Sequence, residues 1–536
     1  MNEELETVND PNFPLFNFHY ETEESIEKII DNIKTNVATG SDTIPSKIIK
    51  QSKKILSPYI TKLINLSFET KTFPDILKNA IIKPIYKKDD INDISNYRPI
   101  SILPVISKIF ERATLNQLIT FFEENCLLSA LQHAYRKNHG TVTCLFELLN
   151  EVYELIDPKF KVAIVSLDLS KAFDSISHSL LLKKLKNFNL HQQSIDYIES
   201  YLSNRKQVTK ISKYTSTEEN IKSGVPQGSI LGRFLFLCFV NDLPKIFNEN
   251  TKFLAYADDT QLLVCDKDLE KLKEKVENVI GSAQIWYENN GMKNNSSKSE
   301  ILVISNKKTD KIILKVNEDG KEKIVKSKKW IKVLDLHIDY LLSWSKQISQ
   351  VKKSATNIIR KIHRINKFLP LKLKMTLYNT LIAPIFNYAD IIWGGCTKFQ
   401  GKRLQVSQNF AARSILGKSK YDSGKAALKE LNLLNLEQRR VVHESVFAHK
   451  ALSEKLPKNI QARYKSLLPK LATRRYTNRK FNIPQHNRSK FKKSPIYRSL
   501  ISWNQAPNTL PFGKVIPHKK GFQKYLLDKN NENIPI

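Results

Sequence analysis

Three aspartates stand where the surrounding sequence is apolar. Asp168 ends the run "FKVAIVSLD", and Asp258 and Asp259 sit side by side in "LAYADDT", with "QLLV" directly after them. An unpaired buried carboxylate is costly, and neighbouring carboxylates repel. The first run reads as a buried strand and the second as a hairpin with the acidic pair at its turn. If the two elements are neighbours in one sheet, three carboxylates meet at one point. Divalent cations stabilise such a cluster, and carboxylate oxygen is a suitable hard ligand for Mg²⁺. Two ions about 3.5–4 Å apart would serve in-line displacement at phosphorus, one activating a hydroxyl and the other steadying the leaving group. An Asp-Asp pair alone is common in turns. Here "SLDLSKAFD", "GVPQGSILG" and "YADD" follow one another in an order and at separations that suit a single catalytic lobe.

The elements that must position these residues are legible in outline. Residues 20–70 read as helical, with Ile26, Ile29, Ile30 and Ile33 at helix spacing and a second stretch, "IIKQSKKILSPYITKLINLSF", after the turn "TGSDTIP". "AIIKPIY" and "YRPISIL" read as a hairpin with Lys87 and Lys88 near one end and Arg98 opposite. Residues 103–155 are expected to be mostly helical, and "SGVPQGSILGRFLFLCFVNDL" to be a Gly/Pro turn feeding an apolar helix. Further on, Ile348, Val351, Ala355, Ile358, Ile362 and Ile365 fall on one helical stripe, with Lys352, Lys353, Arg360, Lys361 and Arg364 off it. Pro370 stops that helix, and a long helical region runs to about Leu452.

The chain of 536 residues is long enough for several lobes. Lys and Arg number 86 against 53 acidic residues, a formal charge of +33 that favours a polyanionic partner. The segment 451–536 holds 19 Lys or Arg and 3 acidic residues, a balance of +16. Within it "TRRYTNRKFNIPQHNRSKFKK" interleaves base with aromatic, including Arg474 and Arg475, which suits RNA through phosphate contact and stacking. Five scattered cysteines with no CxxC pair argue for a reducing compartment and against a zinc site or disulfide framework. No apolar run is long enough to span a membrane, and the acidic N-terminus lacks a signal-peptide pattern.

The sequence closely resembles the reverse transcriptases of non-LTR retrotransposons, within them the jockey-like group. "NYRPISILPVISKIFE", "SLDLSKAFDSISH", "GVPQGSILG", "FLFLCFVNDLP" and "YADDTQLL" are in family style and family order, and the likeness runs from near Gly40 to about residue 450, more weakly to "SWNQAP". The resemblance implies an α+β right-hand polymerase. It implies an N-terminal helical extension over 1–75, fingers over 76–165, and a palm over 166–343 with an interspersed fingers segment. A helical thumb over 344–450 and a basic RNA-binding region over 451–536 follow.

The implied roles map residue by residue. Asp168 and Asp258 would be metal ligands, with Asp259 adjacent and supportive, for two Mg²⁺ ions or Mn²⁺ in their place. Phe173 would stand under C2′ of the incoming sugar and disfavour a ribose 2′-hydroxyl. Arg98, with Lys87 or Lys88, would clamp the triphosphate. Gly224 and Gly228 would let backbone approach the ligand, Gln227 would lie near the nascent base pair, and Lys298 near the leaving pyrophosphate. Arg136 would face the template. The implied partners are an RNA template, a DNA primer and dNTPs, with no membrane, and an intracellular location in the nucleus or a cytoplasmic ribonucleoprotein.

The sequence departs from the family pattern in three places. Arg233 follows Leu231 and Gly232 where "LGP" is usual, Asp335 in "VLDLHID" stands where glycine is usual in the primer-contacting turn, and "HAYR" replaces "FGFR". The residues ahead of Gly40 are too few for the endonuclease that full-length members carry, so the chain is expected to lack it, and no RNase H signature is found. Two readings compete with the polymerase. One is a catalytically inactive, transposon-derived RNA-binding protein, which would explain Asp335 and Arg233. The other is an RNA-dependent RNA polymerase, against which Phe173 argues.

Overall fold

The computed structural model describes residues 13–87, 90–249, 251–294, 299–305, 312–318, 321–469, 480–507, 510 and 515–528. Helices and mainly antiparallel sheets are mixed along the chain, as the α+β expectation requires. Two compact units account for it. One takes residues from 1–135, 168–248 and 280–295, and the other from 136–167, 249–279 and 296–536.

In the first unit the expected hairpin forms from strands Ala80–Tyr86 and Tyr97–Ile102. Its antiparallel register sets Arg98 opposite Ile85. Strand Lys206–Ile211 joins the free edge of Ala80–Tyr86 in parallel, with Ala80 opposite Gln207. Helix Val105–Glu124 and the apolar helix Leu231–Phe239 pack against each other. The sequence reading of one helix after the turn at 40–45 is corrected. Ser52 separates Ser46–Gln51 from Lys53–Glu69. The expected helical run over 103–155 is likewise two helices, Val105–Glu124 and Thr141–Ile156, the latter in the second unit.

The second unit is built on a four-stranded antiparallel sheet in the order Glu300–Ile304, Lys161–Leu167, Asp259–Asp266, Lys252–Tyr256. "KVAIVSL" is apolar on both sides because it lies inside this sheet, with Val162 through Val165 fully buried. Helix Thr141–Ile156 packs on the sheet, and its Leu145, Leu149 and Val152 share a core with Ile164, Leu263 and Leu302. Burying one Leu or Val side chain is worth about 1.5–3 kcal/mol, so this core holds the sheet firmly.

Helix Ser345–Ile365 follows, and Ile348, Val351, Ala355, Ile359 and Ile362 are its buried apolar residues. The stripe read from sequence is corrected at its end: Ile359 replaces Ile358, which is half-buried, and Ile365 is exposed. A helix turns 3.6 residues at a time, so a stripe drifts, and contact with helix Lys398–Leu416 decides which residue is covered. The helical region to Leu452 is interrupted, with a wide turn at Tyr378–Ile382 and a left-handed residue at Ala389.

The basic segment 451–536 also builds core. Helix Pro495–Gln505 packs against Leu436–Leu452 and Thr141–Ile156, burying Ile496, Leu500 and Trp503. Among the described residues, no helix is long and apolar enough to cross a membrane.

Candidate active site

In the first unit two loops, "SKAFDSISH" and "SGVPQGS", are laced into one platform. Backbone bonds run from Val225 N to Phe173 O and from Gly224 N to Ile176 O, both at 2.8 Å. Ser223 Oγ donates to Asp174 O at 3.2 Å, and the His178 ring bonds Gly224 O at 2.7 Å. Gly224 adopts φ +82°, and a Cβ there would lie 2.7 Å from Asp174 Cα. Only glycine permits this approach. Gly228 is more constrained, with φ +138° and a virtual Cβ 2.3 Å from Ser101 O. Ser101 N in turn donates to Gln227 O at 2.8 Å, so the strand bearing Arg98 is tied to the same platform.

Phe173 lies half-buried here, stacked on Phe236 at 4.6 Å and edge-on to Tyr135 at 6.5 Å. The Gln227 amide donates to both oxygens of Asp174, at 2.9 and 3.0 Å. Burial pushes the Asp174 carboxyl up, opposed first by the Gln227 bond and then by the positive charges of Lys171 and Lys87. Arg98 and Lys87 are exposed. The first unit therefore holds Phe173, Gln227 and Gly228 on one platform, with Arg98 on a strand tied to it and the Lys87 charge acting on Asp174.

Sequence reasoning missed two acids. Asp174 is one. The other is Glu111, fully buried, whose Oε2 accepts from Ser229 Oγ at 2.9 Å, Ile230 N at 2.5 Å and Leu231 N at 3.2 Å. A carboxylate at the N-terminus of helix Leu231–Phe239 satisfies its orphan donors and complements its dipole. The available signal was a lone acid within the largely apolar "VISKIFERATLNQL".

In the second unit strands Lys252–Tyr256 and Asp259–Asp266 form the expected hairpin, with Tyr256 opposite Asp259 and the turn at Ala257 and Asp258. Ala257 takes φ +57°, a left-handed turn conformation. Asp258 is half-buried and Asp259 exposed. Strand Lys161–Leu167 pairs with the same strand, Leu167 opposite Thr260. Asp168 is the next residue along the chain from Leu167, and Asp259 the one before Thr260.

Residues 85–348 match the family described as "Reverse transcriptase (RNA-dependent DNA polymerase)". That span is similar to a reverse transcriptase domain. Over 407 residues it is 26% identical to the RNA-directed DNA polymerase from mobile element jockey of Drosophila melanogaster, covering 74% of this chain and 44% of that protein. It is 27% identical over 399 residues to the probable RNA-directed DNA polymerase from transposon X-element of the same fly, covering 73% and 43%. The corresponding protein from transposon BS is 25% identical over 469 residues, covering 85% and 51%. The resemblance to jockey-like non-LTR elements thus holds over most of the chain, and the chain spans about half the length of the curated relatives it matches.

Reverse transcriptases work with divalent metal. Among the described residues no three His, Cys, Asp or Glu side chains stand together as a ready-made ion cage. The donor set nonetheless fits Mg²⁺, which is commonly held by one or two carboxylates with waters and substrate phosphates completing its shell. Asp258 lies in the hairpin turn, and Asp259 opens the strand that follows it.

Elsewhere, Lys353, Arg360, Lys361 and Arg364 are exposed on helix Ser345–Ile365, and Lys352 and Arg136 are half-buried. Two family departures meet: the Arg233 guanidinium lies over the Tyr135 ring of "HAYR", 5.3 Å from its centroid. This is a cation–π contact behind Phe173, so Arg233 has a packing role. The third departure, Asp335, sits with Leu334 in a two-residue turn between strands Trp330–Val333 and Leu336–Asp339. Both turn residues have positive φ, +45° and +64°. Asp335 is 76% exposed in its side chain and pairs with Lys332 at 2.6 Å. Lys88, Lys298, Arg474 and Arg475 lie outside the described residues.

Proposed function

We propose that this chain is an RNA-directed DNA polymerase of a non-LTR retrotransposon, extending a DNA primer on an RNA template with dNTPs. The observation that carries the reading is strand register: Leu167 opposite Thr260 in a sheet whose next hairpin turn is Asp258, with Asp168 and Asp259 as the adjoining residues. That register supports a reading in which the three carboxylates serve one metal site. Asp168 and Asp258 hold the divalent ions, and Asp259 supports them. Two Mg²⁺ ions, when bound, supply charge stabilisation to the hydroxyl and the pyrophosphate in an in-line displacement at the α-phosphorus.

The protein's own residues bind and orient. Arg98 presents a guanidinium fork to triphosphate oxygens, with Lys87 and Lys88 as neighbouring charges and Lys298 at the leaving pyrophosphate. Gly228 and Gln227 line the nascent pair, and Arg136 faces the template. Residues 76–165 act as fingers, 166–343 as palm and 344–450 as thumb, where the basic side of helix Ser345–Ile365 tracks duplex phosphate. Arg474 and Arg475 contribute to RNA affinity. Primer extension on an RNA template, with dNTPs and NTPs supplied separately, tests the reading. DNA synthesis is expected, and no synthesis with either set removes it in favour of an RNA-binding relic.

Sugar choice tests Phe173. Replacing Phe173 by Ala or Val should raise the ratio of ribonucleotide to deoxynucleotide incorporation by roughly tenfold or more, since about 1.4 kcal/mol of lost steric penalty is a factor of ten. The ring also packs on Phe236, so stability falls by about 1–3 kcal/mol and assays belong well below the melting temperature. A wild type that uses both sugars equally shows that Phe173 is no gate.

Asp335→Gly tests the primer turn. Glycine suits φ +64°, while an exposed pair with Lys332 contributes only about 0–1 kcal/mol, so stability should change little. Removing a carboxylate from a turn facing primer phosphates should increase primer extension, most clearly at low enzyme and low salt. Equal or lower extension under those conditions means that Lys332 already neutralises Asp335.

A further inference from the structure

We propose that Asp174 is a positioning residue for nucleotide selection, fixing the Gln227 carboxamide with its nitrogen toward the protein and its carbonyl oxygen toward the incoming nucleotide. The inference rests on the polymerase reading and deepens it. Gln227 Nε2 donates to Asp174 Oδ1 at 2.9 Å and to Oδ2 at 3.0 Å. An ionised carboxylate only accepts, so the flipped amide would set Oε1 against two acceptor oxygens. Charge therefore decides the orientation. Asp174→Asn would present one donor and one acceptor, and the amide could then settle either way.

Both main chains are already pinned, which leaves the amide as the remaining freedom. Asp174 N donates to Lys171 O at 2.9 Å, Asp174 O accepts from Ser223 Oγ, and Gly224 packs against Asp174 Cα. Gln227 O accepts from Ser101 N. Lys171 and Lys87 work against the effect of burial and favour the anionic carboxylate that the geometry needs. Asp174 also follows Phe173 directly, and Phe173 O is held by Val225 N, so one platform holds the sugar-facing ring and the oriented amide. With Nε2 engaged, Oε1 is left as an acceptor. Its natural partner is a hydroxyl donor, which in a deoxynucleoside triphosphate is the 3′-hydroxyl.

The test is a double-mutant cycle of Asp174→Asn and Gln227→Ala, read in two ways. In single-nucleotide primer extension, each single variant should raise the KM for dNTP by roughly fivefold to tenfold, the loss of one oriented hydrogen bond, with kcat within about twofold. The double variant should be no worse than Gln227→Ala, because Asp174 acts through Gln227. Multiplying effects, or an unchanged KM in Asp174→Asn, overturn the proposal. Melting temperatures of the same four proteins read the contact without turnover: non-additive losses support it, and additive losses overturn it. A wild type that extends no primer removes the polymerase reading and with it the nucleotide role, while the melting cycle still decides whether the two side chains are coupled.

Discussion

Asp258→Asn is expected to abolish detectable nucleotide addition, and Asp168→Asn to do the same. Losing one ligand charge weakens the hold on an ion that supplies several kcal/mol of transition-state stabilisation, so a fall of about a thousandfold or more is expected. Asparagine keeps the shape of aspartate, and Asp258 lies half-buried at a turn whose backbone is set by the hairpin register. The fold should therefore survive, with a melting temperature near that of the wild type and RNA binding retained. Substantial polymerisation by both variants would remove the carboxylates from the metal site. Retained binding with lost addition separates a chemical defect from an unfolded one.

Gly228→Ala is expected to have the largest effect of any single methyl group added to the platform. The new Cβ would stand 2.3 Å from Ser101 O, far inside van der Waals contact, at a φ of +138° that L side chains rarely adopt. Neither obstacle can be relieved by turning a side chain, because the opposing atom is backbone in the strand bearing Arg98. The bond from Ser101 N to Gln227 O must break or the loop must move. A loss of about 3 kcal/mol or more is expected, with primer extension falling in parallel. Thermal unfolding and primer extension of Gly228→Ala check this. An unchanged melting temperature would mean that the loop has room the geometry denies.

The basic segment 451–536 shows where composition and packing part company. Its charge of +16 suggests a solvated arm, and cutting it away looks like a clean test of RNA affinity. Helix Pro495–Gln505 instead buries Leu500 completely, and Arg498 pairs with the buried Glu444 at 2.6 Å. Truncation after Lys450 would strip core from the second unit, so a loss of binding would mix lost RNA contacts with unfolding. Substituting exposed lysines and arginines one at a time is the informative experiment.

By itself the sequence determined the candidate chemistry, because an acid inside an apolar run is costly and its presence there demands a reason. Asp168, Asp258 and Asp259 were singled out on that ground, and the two hairpins were legible because alternation and turn residues are local properties. Phe173, Gln227 and Gly228 came from ordered motifs. Only the tertiary structure decided what Asp174 and Glu111 do, since their partners are 53 and 118 residues away and no local pattern foretells them. It also decided that Ile359 rather than Ile358 is covered, because the facing helix chooses among adjacent apolar positions. The three departures divide the same way. Their residue types are plain in the sequence, but the stacking of Arg233 on Tyr135 and the pairing of Asp335 with Lys332 depend on where the backbone places side chains, and that is set by packing.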